Sequence, residues 1–134
     1  MANKSFLLDT NVALWILTGD NRLSEQEFRK TFFSAKSSTL LFHQVSTWEI
    51  QIKHSLGKLP LPEQPQNFLL EAVRESGFSY ETISDRAIFF LGKLPPLHRD
   101  PFDRLLIAHA ILGGYTIITS DRTLAEYPVP VELV

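Results

Sequence analysis

The chain has 134 residues, 13 basic against 15 acidic, a formal net charge of -2 and no cysteine. This composition excludes a disulfide framework and cysteine-based zinc sites, and it lacks the strongly basic footprint of a protein held on nucleic acid by phosphate contacts alone. No run approaches the about 20 apolar residues of a membrane span, and MANKSFLLDT lacks a signal peptide's apolar stretch, so the expectation is one soluble, cytoplasmic domain over residues 1–134.

In chain order, SFLLD (5–9) is a short apolar run ending on Asp9, and NVALWIL behind it has helical spacing. SEQEFRKTFFSA (24–35) opens on Ser24 with Glu27 three residues later, the capping box of a second helix. TLLFHQV (39–45) reads as a buried strand, and STWEIQIKHSLGK (46–58) as a helix stopped by Gly57 and Pro60. An amphipathic helix over 64–76, a strand over 78–83 and a helix over 84–93 follow. In HRDPFDRLLIAHAILGG, Asp100 is the expected N-cap and Pro101 the first helical residue. TIITS (116–120) is a clear strand, DRTLAEY a short helix and VPVELV a last strand. Strands alternating with helices predict an α/β domain whose mostly parallel sheet is covered on both faces.

Ligands of such sheets collect outside the carboxyl ends of the strands. Asp9 ends the first strand, Glu49 lies in the first turn after the second, and Asp121 directly follows TIITS. Asp103 joins them only if the helix it opens begins on the same rim. Each acid also has a local reading. Ser46 and Glu49 make a capping box, Asp103 serves the helix start, and Asp121 caps DRTLAEY. Together, four carboxylates on one rim would raise each other's pKa values unless a cation sits among them. Mg²⁺ or Mn²⁺ suits an all-oxygen ligand set, and either can activate water against a phosphoryl group.

FLLDTNVALW (6–15), VSTWEIQIKHSLGKL (45–59), LPPLHRDPFDRLLIAHA (94–110) and IITSD (117–121) resemble the PIN-domain ribonucleases, and within them the VapC-type toxins of bacterial toxin–antitoxin modules. The resemblance implies a three-layer α/β/α sandwich with a central sheet of four to five strands. It implies an endoribonuclease dependent on Mg²⁺ or Mn²⁺, an antitoxin protein that blocks the site, RNA as substrate, and a homodimer. Carried over by position, the family's acidic quartet falls on Asp9, Glu49, Asp103 and Asp121. Asp9, Asp103 and Asp121 are then metal ligands, with Glu49 a direct or water-mediated one, and Asn11 and Ser46 are supporting polar residues. Asp100 is kept as an N-cap with a candidate place just outside the ligands.

His98, Arg99, Arg104 and Lys53 are candidate contacts for RNA phosphates. Trp48 is a candidate for stacking a base, and Trp15 for an antitoxin groove. Glu49 and His54 are five apart and make no H-E-x-x-H metal site; His109, six after Asp103, reads as packing or facing solvent, and His43 sits in a strand. Two other function classes stay open: a phosphohydrolase with Asp9 as nucleophile, against which Asn11 stands where such enzymes usually carry a second acid, and an inactive PIN-like binding module.

Overall fold

The computed structural model describes residues 4–20, 22–23, 28 and 38–134. The capping-box helix expected at 24–35 lies outside the described residues, apart from Phe28, which is buried. In chain order the elements are β1 (Lys4–Leu8), α1 (Thr10–Thr18), β2 (Ser38–His43), α2 (Gln44–Ser55), α3 (Pro65–Glu75) and β3 (Ser79–Glu81). They continue with α4 (Asp85–Phe90), a 3₁₀ turn (Leu91–Lys93), α5 (Pro101–Gly113), β4 (Thr116–Thr119), a second 3₁₀ turn (Arg122–Glu126) and β5 (Val131–Leu133).

All four strand pairings are parallel, in the order β3-β2-β1-β4-β5. A strand buried on both faces has no polar side to alternate with, which is why FLL and TIIT read as apolar runs. The alternation is instead between two cores. Phe6 and Leu8 of β1 face a cluster with Val12 and Ile16 of α1, Ile50 of α2 and Leu69 and Val73 of α3. Leu7 faces the opposite way, toward Ala87 of α4 and Leu106, Ile107 and Ala110 of α5. The result is three layers, helix–sheet–helix, with β1 at the centre.

Most expected elements are present, with shifts that have local causes. The strand expected to reach residue 45 stops at His43, because the His43 ring caps α2: its Nδ1 accepts the Val45 N–H at 3.0 Å. That start places Ser46 inside the helix, so Ser46 and Glu49 do not form a capping box. Asp100 caps α5 as expected, its Oδ1 accepting from Phe102 N (2.8 Å) and Asp103 N (3.2 Å), with Pro101 next. The same helix ends on Gly114, whose φ of 71° is left-handed backbone that strains any residue with a side chain. The helix expected over 84–93 tightens to a 3₁₀ turn from Leu91, and DRTLAEY is a 3₁₀ turn throughout.

The chain runs outward from β1 to β2 and β3, then returns past β1 to β4 and β5. The direction of strand order therefore reverses between β1 and β4, the place where open α/β sheets bind ligands. The helix α5 precedes β4 and begins at the carboxyl ends of the strands, so Asp103 opens onto that crevice.

Candidate active site

At the head of β1, Asp9 is tied into the sheet and closes it. Its N–H donates to Ile118 O of β4 at 2.9 Å, and its carboxylate caps α1 by accepting Thr10 N at 2.8 Å. The other oxygen accepts Thr119 Oγ1 at 2.6 Å, and that hydroxyl accepts the Asp121 N–H at 2.9 Å. Thr119 thus fixes two acids at once, one at the end of β1 and one after β4. Neither Thr119 nor Thr10 stands out in the sequence, since a threonine at a strand end or helix start is ordinary. Only the pairing of β1 with β4 gives them their partners.

Thr10 does on the other flank what Thr119 does on this one. Its hydroxyl donates to Glu49 Oε1 at 2.8 Å, which leaves Ser46 Oγ, also at 2.8 Å, as the donor to Thr10. Glu49 Oε2 takes the Lys53 ammonium, one helical turn on. An edge-to-face contact between Trp48 of α2 and Phe102 of α5, ring centroids 4.8 Å apart, pins the two helix starts together. Trp48 remains 46% exposed beyond this contact. Asp103 is brought toward Glu49 by this contact.

On the outer side of the crevice, His98 Nε2 stands 3.3 Å from Asp103 Oδ2 and 3.8 Å from Asp121 Oδ2. The Asp100 N–H donates to His98 Nδ1 at 3.3 Å, which places the ring proton on Nε2, facing the carboxylates. Asp121 Oδ1 is held by Thr123 N (3.0 Å) and Thr123 Oγ1 (2.7 Å). His98, Asp103 and Asp121 each offer a ligand atom within 4.8 Å of the others.

The electrostatics follow from this crowding. Burial pushes the Asp103 carboxyl up to about 8, with the charges of Asp9, Asp100, Glu49 and Asp121 adding to the rise. Burial also raises Asp9; hydrogen bonds from Thr119 and Thr10 oppose that, and Glu49 and Asp121 reinforce it. Asp121 is held below the usual carboxylate range, chiefly by the Thr123 hydroxyl. Lys53 is drawn down by burial but held above the ordinary lysine value by the hydrogen bond and charge of Glu49, with Asp100 and Asp103 behind it. The field at Asp103 is that of a group short of positive charge.

A PIN-domain family model matches residues 6–130. The chain belongs to the PIN-domain family. No curated protein is similar enough in sequence to count as a match. Among solved structures, the chain is similar to VapBC2 from Rickettsia felis bound to a DNA fragment from their promoter, with 20% identity, a TM-score of 0.72, and 96% of this chain and 98% of that one covered. It is also similar to DNA-bound VapBC from Salmonella typhimurium, with 16% identity, a TM-score of 0.65 and 98% of each chain covered. FitAcB from Neisseria gonorrhoeae gives 15% identity and a TM-score of 0.61, over 94% of this chain and 95% of that one. The three-layer α/β/α fold is the one these chains share with this PIN domain.

The remaining candidates divide. Asn11 is exposed beside a cleft lined by Trp15 and Leu59–Pro62, and among the described residues it makes no hydrogen bond to the acids. Arg104 points away from the crevice: its guanidinium donates to Pro95 O (3.0 Å), Leu91 O (3.1 Å) and Tyr127 Oη (3.4 Å). That ties α5 to the chain before it and takes Arg104 out of the phosphate-contact set. Arg99, next to His98 in the chain, is exposed. His43 and His109 pack ring against ring in the core at 3.9 Å between centroids, both buried. Among the described residues no helix is long and apolar enough to cross a membrane.

Proposed function

We propose that this PIN domain is a divalent-metal-dependent endoribonuclease and the toxin of a bacterial toxin–antitoxin pair. The observation that carries the catalytic half is the crevice between β1 and β4, where Asp103, Asp121 and His98 each offer a ligand atom within 4.8 Å of the others, Thr119 ties Asp9 to Asp121, and burial with the neighbouring acids' charge holds Asp103 at about 8. Carboxylates crowded this way fit a small hard dication: it is the charge the cluster lacks, and oxygen is the donor it takes. Asp103 and Asp121 would hold Mg²⁺ or Mn²⁺, with Asp9 behind them. Such an ion supplies water of lowered pKa and offsets charge on the phosphoryl group. The PIN-domain family is one of nucleases, which supports a phosphodiester as the bond cut.

This chain's own residues do the rest. Thr119 holds the Asp9 carboxylate and Thr10 the Glu49 carboxylate by hydrogen bonds, so the crevice is ordered before substrate arrives. The His98 Nε2–H is directed at the carboxylate pair and keeps the two acids in register. Arg99 and Lys53 provide positive charge at the rim for an RNA backbone. Asp9 is nearly fully buried, with an oxygen on each of two donors, which speaks against its attacking phosphorus as a nucleophile. The toxin half of the proposal rests on the VapC-type motifs and on the likeness to the VapBC assemblies. A protein antitoxin and a homodimer belong to the same proposal.

The test is cleavage of a mixed RNA pool by antitoxin-free protein, with Mg²⁺, with Mn²⁺ and with EDTA, beside Asp103→Asn. Cutting that needs the metal and is absent from the variant is the expected result. Equal cutting in EDTA, or by the variant, would overturn the metal-site reading.

A further inference from the structure

The acceptor oxygens of the crevice are not equally engaged. Glu49 is buried, and both its oxygens are taken: Oε1 by the Thr10 hydroxyl, Oε2 by the Lys53 ammonium. Ser46, donating to Thr10, fixes the chain Ser46–Thr10–Glu49 so that the carboxylate points along α2 at Lys53. Across the crevice, Asp103 meets only His98 among the described residues. Any ion seeking Glu49 must displace an ammonium anchored four residues away on the same helix, in the order Glu then Lys that favours the pair. Any ion seeking Asp103 displaces no cation of that kind.

Resting on the metal-site reading above, we infer that Lys53 is a resident cation standing in for a second metal ion: it keeps Glu49 for itself and limits the site to one divalent ion per chain. Nuclease sites with two metals place the second charge about 3.5–4 Å from the first to neutralise the phosphate that is cut. Here an ammonium already occupies the Glu49 side of the crevice, bound to Glu49 Oε2. About two-fifths of its side chain is exposed to the solvent through which a phosphate must come (41%). Glu49 is then a positioning residue acting through Lys53, and not itself a ligand.

Mn²⁺ titration followed by electron paramagnetic resonance, without RNA, separates the cases. The proteins are wild type, Lys53→Met, Lys53→Arg and Glu49→Gln, each first checked for a cooperative melt. Wild type is expected to bind one Mn²⁺, and Lys53→Arg likewise, since the cation is kept. Glu49→Gln should leave that stoichiometry and affinity nearly unchanged. Lys53→Met should gain a second, spin-coupled Mn²⁺, or bind the first roughly tenfold tighter, once an ammonium tethered at millimolar effective concentration is gone. Two ions in wild type, a Lys53→Met protein indistinguishable from wild type, or loss of Mn²⁺ binding in Glu49→Gln would each overturn the inference while leaving the metal site standing. If wild type binds no Mn²⁺, the metal-site reading falls and this inference with it.

Discussion

Replacing Asp103 by Asn should make the metal-free protein more stable, and the gain should depend on pH in a defined window. The Asp103 carboxyl, ordinarily near 3.8, sits at about 8 in the folded chain. Between those values the folded state holds a proton that the unfolded state has released. Stability conferred by that proton is present in full below 3.8 and is lost as pH rises through about 8. Each pKa unit is worth about 1.4 kcal/mol, so from pH 6.5 to 8 the wild type should lose about 2 kcal/mol. At roughly 3–5 °C per kcal/mol for a domain of this size, the midpoint should fall by roughly 6–10 °C. The window opens at the ordinary histidine pKa of about 6.5, but any histidine contribution is common to both proteins, so the difference between their pH profiles reports Asp103. Asp103→Asn cannot lose that proton, and Asp100 still caps α5, so its midpoint should stay flat over the same range. The assay is thermal melting in EDTA at half-unit pH steps for both proteins. A wild type equally flat from pH 6.5 to 8, or a variant less stable than wild type at pH 8, would refute the crowding argument. It would return Asp103 to the role of a helix-start residue.

Other perturbations separate the parts of the site. Adding Mn²⁺ at pH 8 should raise the wild-type melting midpoint and leave Asp103→Asn nearly unmoved, as binding to the folded state alone requires. Asp100→Ala should cost about 0.5–2 kcal/mol, read by urea denaturation, and leave RNA cleavage largely intact, because the residue's bonds go to the backbone of α5. Thr119→Val should cost about 1.5–3 kcal/mol and weaken Mn²⁺ binding as well, since one hydroxyl holds both Asp9 and the Asp121 N–H. Burial, with His109 adding to it, lowers His43 to about 3, so the stability it confers is present above pH 6.5 and lost as pH falls toward 3. At pH 5 that loss is about 2 kcal/mol, and His43→Asn, which can still cap α2, should remove it from an acid-denaturation profile.

Much of this protein was legible in its sequence because the signals are local. Apolar runs mark strands buried on both faces, Asp100–Pro101 announces α5, and Gly114 ends it where left-handed backbone is needed. Asp9, Asp103 and Asp121 fall at strand ends or helix starts and can be picked out from that alone, whereas Glu49, expected in a first turn, sits in the second turn of α2 because the helix already starts at Gln44. What sequence spacing left out is the polar framework that holds them. Thr10 and Thr119 stand close to acids in the chain, but the partners that give their hydroxyls a role, Glu49 and Asp9, lie 39 and 110 residues away. His43 reads as a strand residue, and only its ring nitrogen on Val45 N shows why β2 stops and α2 starts there.

The candidate phosphate contacts show the same division. Arg104 looks like a basic residue beside a candidate site acid, but helical rotation turns it onto the Pro95 and Leu91 carbonyls. Lys53 looks like one of several surface lysines, yet the Ser46–Thr10 chain aims Glu49 at it. Sequence by itself determined which residue types stand at which ends of which elements, because period, caps and stops act over a few residues. Only the tertiary structure decided which of them share a crevice. That depends on β4 pairing beside β1 and on α5 starting at the same rim, and the energy of both arrangements lies in contacts between residues remote along the chain.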